Sequence, residues 1–145
     1  MAITLSHATT IVDAALKKAR ETGCAPLAVA VLDEGGHLKA FAREDGAGIL
    51  RPQIAFGKAW GALGMGLGSR NFAKRIAEQP GAPSFFNALA AMSEGRVVPV
   101  PGGVLIRDAS KAVIGAVGIS GDTSDKDEAC ALAGIQAAGL TGDTG

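Results

Sequence analysis

The amino-acid sequence predicts an α+β domain in which helices flank a five-stranded antiparallel sheet. Five short apolar or β-branched runs have the length of strands, and the segments between them place apolar residues at helical spacing. Strands and helices do not alternate regularly, as they do in a parallel doubly wound sheet. The length of 145 residues is that of one domain, so we expect residues 1–145 to fold as a single unit.

The N-terminal third predicts a helix followed by a hairpin. Apolar residues at helical spacing indicate a first helix over residues 6–22, with Ser6 as its N-cap. The apolar run 27–32 is too short and too β-branched to prefer a helix, so it predicts a strand. A Gly-Gly turn follows it, and residues 37–43 supply the second strand of the hairpin.

The rest of the chain predicts a helical region, three strands and a last helix. The helices are expected over residues 51–67, 71–78 and 84–92, the first of them packing closely through small residues, and the strands over 97–100, 104–107 and 112–119. Thr123 or Ser124 caps a final helix that continues through Gln136. The tail after Gly139 is expected to fray.

Composition narrows the classes of partner. The 14 basic and 14 acidic residues cancel to a net charge of zero, so no field draws the chain to nucleic acid or to an anionic membrane. With 48% hydrophobic residues, a mean hydropathy of +0.26 and little surface charge, the chain is expected to cover apolar surface with other copies of itself. A homo-oligomer that assembles through Gly- and Ala-rich helices is therefore predicted.

Cysteine usage and the absence of a targeting pattern predict a cytoplasmic protein. Cys24 and Cys130 form neither a CxxC pair nor a metal-spaced set, so we expect two buried, reduced thiols. No basic segment followed by an apolar run precedes the first helix, and no apolar stretch reaches the roughly 20 residues that cross a bilayer.

Three groups of residues carry a resemblance to a known family. They are residues 33–38 (DEGGHL) with 43–47 (REDGA), residues 102–106 (GGVLI) with 114–121 (IGAVGISG), and residues 125–128 (DKDE) with Ala131 and Gly134. Their combination and order resemble the GlcG/HbpS family, which includes the C-terminal domain of the PduO-type cobalamin proteins. The resemblance covers nearly the whole chain.

The resemblance implies a profilin-like α+β fold, an oligomer that is often an octamer, and binding of haem or a related tetrapyrrole in several members. Other members are encoded with catabolic enzymes. Two functions therefore remain open: a protein that binds haem or another small anionic ligand at a cleft between subunits, and a cofactor-free hydrolase or isomerase of a small unsaturated or imino carboxylic acid. A family resemblance does not decide between them.

Two cationic side chains are the first candidates for a site. Arg43 ends the second predicted strand beside Asp45, where its guanidinium can clamp a carboxylate or a haem propionate, or pair with an acid of a solvated turn. Lys58 stands among Phe56 and alanines of a small-residue helix, where desolvation would lower its pKa. Lysines also extend along apolar surface without any catalytic role.

Other candidates come from glycines and histidines. Gly102 and Gly103 either allow a ligand to approach the backbone or simply form a hairpin turn. His7 and His37 are the only imidazoles, too few for a protein-only zinc site, so no metal is expected except haem iron with one of them as its axial ligand. The alternative interpretation of His37 is an exposed residue of the hairpin turn with no role in binding.

Carboxylates near the last helix complete the set. Asp127 and Glu128 can serve a site at that helix N-terminus, or act as ordinary partners of the helix dipole. In an enzyme, Arg43 would orient the substrate, Lys58 would stabilise negative charge and Glu128 would supply acid-base chemistry. Glu94 and Arg96, in the loop before the third strand, can face the same pocket.

Overall fold

A computed structural model describes residues 2–145 as five helices and five strands. The helices are α1 (Leu5–Glu21), α2 (Arg51–Met65), α3 (Arg70–Glu78), α4 (Ala82–Met92) and α5 (Ser124–Ala137), and the strands are β1 (Ala28–Asp33), β2 (Leu38–Arg43), β3 (Gly103–Arg107), β4 (Val113–Ser120) and β5 (Thr141–Asp143). Within these residues no helix combines the length and apolarity that crossing a membrane requires.

The sheet is open and antiparallel throughout, with the strand order β2-β1-β4-β3-β5. The predicted α+β class and the five-stranded antiparallel sheet are therefore confirmed. The β1–β2 hairpin, predicted from its Gly-Gly turn, lies at one edge with β2 outermost. The three inner strands are buried along nearly their whole length because helices cover both of their faces.

Each face of the sheet packs against a different set of helices. On one face, Val29 and Val31 of β1 join Val117 of β4 in a core with Ile11 of α1 and Ile135 of α5. On the opposite face α2 packs alone over β1, β4 and β3 through smaller residues. Helices α3 and α4 form a separate cluster around Phe72 and Phe86, beside the end of α2.

Glycines in the central strands let the backbone of α2 approach the sheet closely. A Cβ on Gly118 of β4 would overlap the carbonyl of Ala55, and one on Gly103 of β3 would overlap the carbonyl of Lys58. The small residues of α2 also pack against other parts of the same chain: a Cβ added to Gly61 would lie 3.1 Å from Cγ1 of Val97. The predicted tight helix packing thus occurs within the chain, between α2 and its surroundings.

One predicted strand is wrong. Residues 97–100 do not join the sheet but run across the outer side of α2, where the amide of Val98 donates to the carbonyl of Gly57 over 3.2 Å. Val98 fits there because Gly57 has no side chain. A Cβ added to Gly57 would lie only 2.6 Å from Cγ2 of Val98. The β-branched residues of this segment therefore pack against a helix instead of pairing in a strand ladder.

The fifth strand comes from the tail that was expected to fray. Gly139 ends α5 with φ of +75°, Leu140 packs against the core, and β5 then pairs with β3. Gly142 lies opposite Ile106 in this pairing. The helix caps also differ in detail: Thr4, not Ser6, caps α1, while Thr123 caps α5 as one of the two predicted alternatives.

We predict that Gly118→Ala destabilises the protein by about 3 kcal/mol, because the added methyl collides with rigid helix backbone. Gly64→Ala is the matched control, since Gly64 lies on the exposed side of α2 with nothing within 4 Å of the added Cβ. We expect the control to be neutral or about 0.5 kcal/mol stabilising. Urea unfolding measures both, and equal stabilities of the two variants would contradict the tight approach of α2.

Candidate functional site

An apolar cleft of about 430 Å³ opens beside the edge strand β2, on the face of the sheet that α2 covers. Its lining comes from Ala30 of β1, Leu38 and Phe41 of β2, Pro52, Gln53 and Phe56 of α2, and Glu94, Gly95 and Arg96 of the connection after α4. This volume and largely apolar lining with a few polar groups are typical of a small-molecule site.

A bulge in β2 directs two large apolar side chains toward the cleft. Phe41 pairs with Ala30 and Ala40 with Val31, but Leu32 then pairs with Leu38, so Lys39 is the extra residue on β2. Without this bulge, strict alternation would place Leu38 on the opposite side of the sheet from Phe41. Leu38 is 56% exposed, which is high for a leucine in a strand.

Two more exposed apolar side chains lie just before α2, whose first turn supplies Pro52 and Gln53 to the cleft lining. Ile49 and Leu50, in the turn before α2, are exposed to 91% and 63%. With Leu38 and Phe41 of the cleft lining they make four exposed large apolar side chains, which we call the cleft rim. Exposed large apolar side chains near a cleft are a feature of sites that bind a ligand or another protein surface.

The remaining wall supplies a fixed positive charge. Arg96 stacks over Trp60 with its guanidinium carbon 4.5 Å from the ring centroid, and its Nε donates to the carbonyl of Ser93 over 2.9 Å. The chain reaches this position through a tight turn in which Glu94 has φ of +58° and Gly95 has φ of +80°. Glu94 and Arg96 thus line a cleft, but not the pocket that they were expected to share with Lys58 and Glu128, since neither of those residues lines it.

Lys58 lies away from the cleft lining, in a buried ion pair between α2 and α5. Only 2% of the residue is exposed; its Nζ donates to the carbonyl of Ile119 over 2.8 Å and to Oδ2 of Asp127 over 3.2 Å. Burial lowers the pKa of Lys58 and raises that of Asp127, while each partner's charge opposes the shift of the other. The other carboxylate oxygen of Asp127 accepts the amide of Asp122.

The two glycines of the predicted turn adjoin this pair. A Cβ on Gly102, which has φ of +120°, would lie 2.9 Å from Nζ of Lys58. The amide of Gly103 donates to the hydroxyl of Ser69 over 2.8 Å, and the carbonyl of Gly102 accepts the amide of Ile119. Because these glycines have no side chains, α2 and the side chain of Lys58 can pack against the ends of β3 and β4.

Glu128 takes a different partner. Its carboxylate accepts Nε of Arg70 over 2.9 Å, and Nη2 of the same arginine donates to Asp125 over 2.5 Å. These acceptors raise the pKa of Arg70, the bond to Glu128 contributing most. The network ties the start of α3 to the first turn of α5. Arg70 carried no distinguishing signal in the sequence, because nothing local marks an ion pair between residues so far apart.

Arg43 and Asp45 lie in a shallow groove of their own, with Arg20, Pro26 and Glu44. The guanidinium of Arg43 donates to the carbonyl of Ala47 over 2.9 Å. Arg43 projects from β2 on the same side as Phe41, two residues from the cleft. The structure thus brings Lys58, Gly102 and Gly103 together, but gives Arg43 and Glu128 separate sets of partners.

The two histidines are held in different hydrogen-bonding states. Nδ1 of His7 accepts the amide of Thr4 over 3.5 Å as part of the capping box of α1. His37 lies in the hairpin turn with its side chain 82% exposed, and its Nδ1 is 3.3 Å from Oδ1 of Asp33. Within residues 2–145 no cluster of three or more His, Cys, Asp or Glu side chains has the arrangement of a metal site.

The fold and the cleft define a class of protein: a small α+β domain with an open apolar pocket beside a sheet edge and an arginine in the pocket lining. Comparison with known proteins identifies the family within that class. The chain belongs to the family described as haem-degrading protein HbpS-like, whose sequence model matches residues 3–136. The GlcG/HbpS resemblance is therefore confirmed.

Individual relatives agree with this membership. An uncharacterised 15.0 kDa protein of Citrobacter freundii, from the dhaT-dhaS intergenic region, is 33% identical over 125 residues, which is 86% of this chain and 84% of that protein. The PduOC–haem complex superposes with a TM-score of 0.85 at 26% identity over 97% of each chain. The Klebsiella pneumoniae protein ORFY gives 0.83 at 30% identity, covering 94% of this chain and 90% of its own.

We predict that Asp127→Asn destabilises the protein by about 3 kcal/mol or more, because it leaves the ammonium of Lys58 buried without a counter-charge. The double variant Lys58→Met/Asp127→Asn is the control, since it buries no charge. Removing Asp127 lowers the pKa of Lys58 further below 10.5, so the folded state binds fewer protons than the unfolded state.

Stability of the single variant should therefore rise with pH toward 10.5, relative to the double variant. Guanidinium unfolding at a series of pH values measures the difference. A double variant less stable than Asp127→Asn at every pH would mean that the ion pair is not the interaction that Asp127 provides.

Proposed function

We propose that this protein binds haem or a related anionic tetrapyrrole in the cleft beside β2, with a second copy of the chain covering the cleft rim. The observation that carries the proposal is the combination of a largely apolar cleft of about 430 Å³ with Arg96 in its lining, whose guanidinium is held over Trp60. A tetrapyrrole has the same combination of an extended apolar surface and carboxylates.

The residues of the cleft fit such a ligand. Leu38, Phe41 and Phe56 offer apolar and aromatic surface to the macrocycle, and Arg96 offers charge-assisted hydrogen bonds to a carboxylate. Arg96 is pre-organised for this role because Trp60 and the carbonyl of Ser93 already fix its orientation. Bound haem would supply an iron centre whose reactivity depends on its axial ligand and on the polarity around it.

Of the two histidines, we infer that His37 is the better axial ligand. Asp33 lies beside its Nδ1, so a proton on Nδ1 is favoured and the lone pair remains on the exposed Nε2. A histidine with its other nitrogen held by a carboxylate is the usual arrangement of a metal ligand. In neutral His7 the cap bond places the proton on Nε2 instead, so ligation there requires a tautomer change.

His37 immediately precedes Leu38, which lines the cleft. It is nevertheless not among the residues that line the cleft of its own chain. A subunit packed on the cleft rim can bring its own turn to the site, which is one reason to place the ligand between copies. The apolar exposure of Ile49 and Leu50 supports the same arrangement. The PduOC structure, to which this chain is similar, was determined with haem.

The alternative, a cofactor-free hydrolase or isomerase of a small carboxylic acid, requires Arg43, Lys58 and Glu128 to share a pocket. Each of the three contacts different groups: the carbonyl of Ala47, the buried Asp127, and Arg70. Lys58 is also closed off from solvent. No observation favours this enzyme over a ligand-binding protein.

We predict that haemin added to the protein shifts and sharpens the Soret band with saturable binding, and that it quenches the fluorescence of Trp60, the only tryptophan. His37→Ala should change the Soret position and weaken haemin binding about tenfold, while His7→Ala should leave both unchanged. Light scattering on the same samples gives the number of subunits in the assembly, and the end point of the titration gives the haem bound per subunit.

Binding of iron-free protoporphyrin IX distinguishes the contribution of the axial ligand to affinity from that of the cleft. We expect its affinity to be equal for the wild type and His37→Ala, since it carries no iron to be ligated. A Soret shift no larger than that of an unrelated protein of similar size would contradict the haem proposal. A change confined to His7→Ala would move the axial ligand to α1.

We predict that Arg96→Gln weakens binding of haemin and of protoporphyrin IX by about ten- to a hundredfold, through loss of a charge-assisted hydrogen bond to a carboxylate. The porphyrin dimethyl ester, which has no free carboxylate, should bind the wild type and Arg96→Gln equally. Arg43→Gln is the comparison at the neighbouring groove. If Arg43→Gln weakens binding and Arg96→Gln does not, the carboxylate lies in the Arg43 groove and our cleft assignment is wrong.

A further inference from the structure

The charged lining of the cleft consists of one acid and one base. Among the residues 2–145 that line the cleft, Glu94 is the only acidic residue and Arg96 the only basic one, while the others are apolar or neutral. Both lie in the connection between α4 and β3. Arg96 accounts for the attraction of a ligand carboxylate, so the acid beside it needs an explanation of its own.

Glu94 has a backbone conformation that glutamate rarely adopts. Its φ is +58°, in the left-handed region where glycine or asparagine is usual. The turn closes α4, since the amide of Glu94 donates to the carbonyl of Ala91 over 3.2 Å and the amide of Gly95 to that of Ala90 over 2.7 Å. Residues in such conformations cluster at binding sites, so a glutamate here, in the lining of the cleft, suggests a function for its side chain.

The carboxylate of Glu94 is not neutralised by Arg96. Glu94 is exposed, and in the part of the chain that the structure describes its side chain has no hydrogen bond or ion pair. Arg96 instead stacks on Trp60 and donates its Nε to the carbonyl of Ser93. The charge of Glu94 therefore acts on whatever enters the cleft. Like charges several ångströms apart near a protein surface repel strongly enough to change an affinity about three- to tenfold.

We propose that Glu94 determines specificity in the cleft: its carboxylate repels tetrapyrroles that carry more carboxylates than the single edge that Arg96 can bind. This inference rests on the proposed function, the binding of a tetrapyrrole in this cleft. Haem and protoporphyrin IX carry their carboxylates on one edge, and their other edges are apolar. Coproporphyrin III has further carboxylates in place of the vinyl groups, and no second base in the described lining receives them. Repulsion of the wrong ligand is a common source of specificity.

The experiment titrates iron-free protoporphyrin IX and coproporphyrin III into the full chain and follows porphyrin absorbance and the quenching of Trp60. We expect Glu94→Gln to bind coproporphyrin III about tenfold more tightly than the wild type does, and protoporphyrin IX at most about twofold more tightly. Glu94→Asp should retain the wild-type preference because it retains the charge. A selective gain of affinity is not the result of a damaged fold, so it separates specificity from a structural role.

Two controls test whether the effect is electrostatic and local. Glu21→Gln removes the same charge from the exposed last residue of α1, on the opposite face of the sheet, and should leave both affinities unchanged. Raising the salt concentration from about 0.02 M to about 0.5 M should reduce the preference of the wild type for protoporphyrin IX, because salt screens repulsion between charges. The smaller preference of Glu94→Gln, which comes from the apolar lining, should not change with salt.

The outcomes distinguish this inference from the proposed function. If the wild type and Glu94→Gln both bind protoporphyrin IX and show the same preference at low salt, the role of Glu94 is overturned while the ligand site stands. If the wild type binds neither porphyrin, the proposed function fails and the specificity role fails with it. A preference that is lost in Glu94→Asp as well would mean that side-chain size decides, which contradicts repulsion as the cause.

Discussion

The close approach of α2 to the middle of the sheet is the constraint on which the other features depend. Helix backbone lies against strand backbone there, since a Cβ on Gly118 or Gly103 would overlap carbonyls of the helix. At this depth the side chain of Lys58 reaches past the end of β4 to Asp127 on α5. The same placement turns Phe56 and its neighbours toward β2, where they form one wall of the cleft.

The buried ion pair between Lys58 and Asp127 fixes the position of α2 along the sheet. Taking two charges out of water costs free energy that their mutual attraction only partly returns, so the pair is weak evidence for stability. Its geometry is nevertheless demanding: Lys58 also donates to the carbonyl of Ile119, and Asp127 also accepts the amide of Asp122. A shift of α2 by one turn would leave both charges buried and unpaired, so the pair selects one arrangement of α2, β4 and α5.

Sequence reasoning identified the elements whose signals are local: the hairpin, α2, the short helices and the capped α5. The prediction failed where tertiary contacts decide the structure. Residues 97–100 have the composition of a strand but pack on α2. Strand β5 (Thr141–Asp143) contains a glycine and has little strand propensity. The cleft was hidden for the same reason. It depends on the bulge at Lys39, and no residue type announces the register shift that turns Leu38 toward Phe41.

The uneven covering of the two faces explains why a cleft exists at β2. Neighbouring strands lie about 4.8 Å apart and a helix with its side chains is about 10 Å wide, so one helix covers two or three strands of a sheet. Helices α1 and α5 together cover one face, but α2 packs alone over β1, β4 and β3 on the other. The edge strand is left without a helix on that side, so the large side chains that its bulge exposes line a cleft that stays open to solvent.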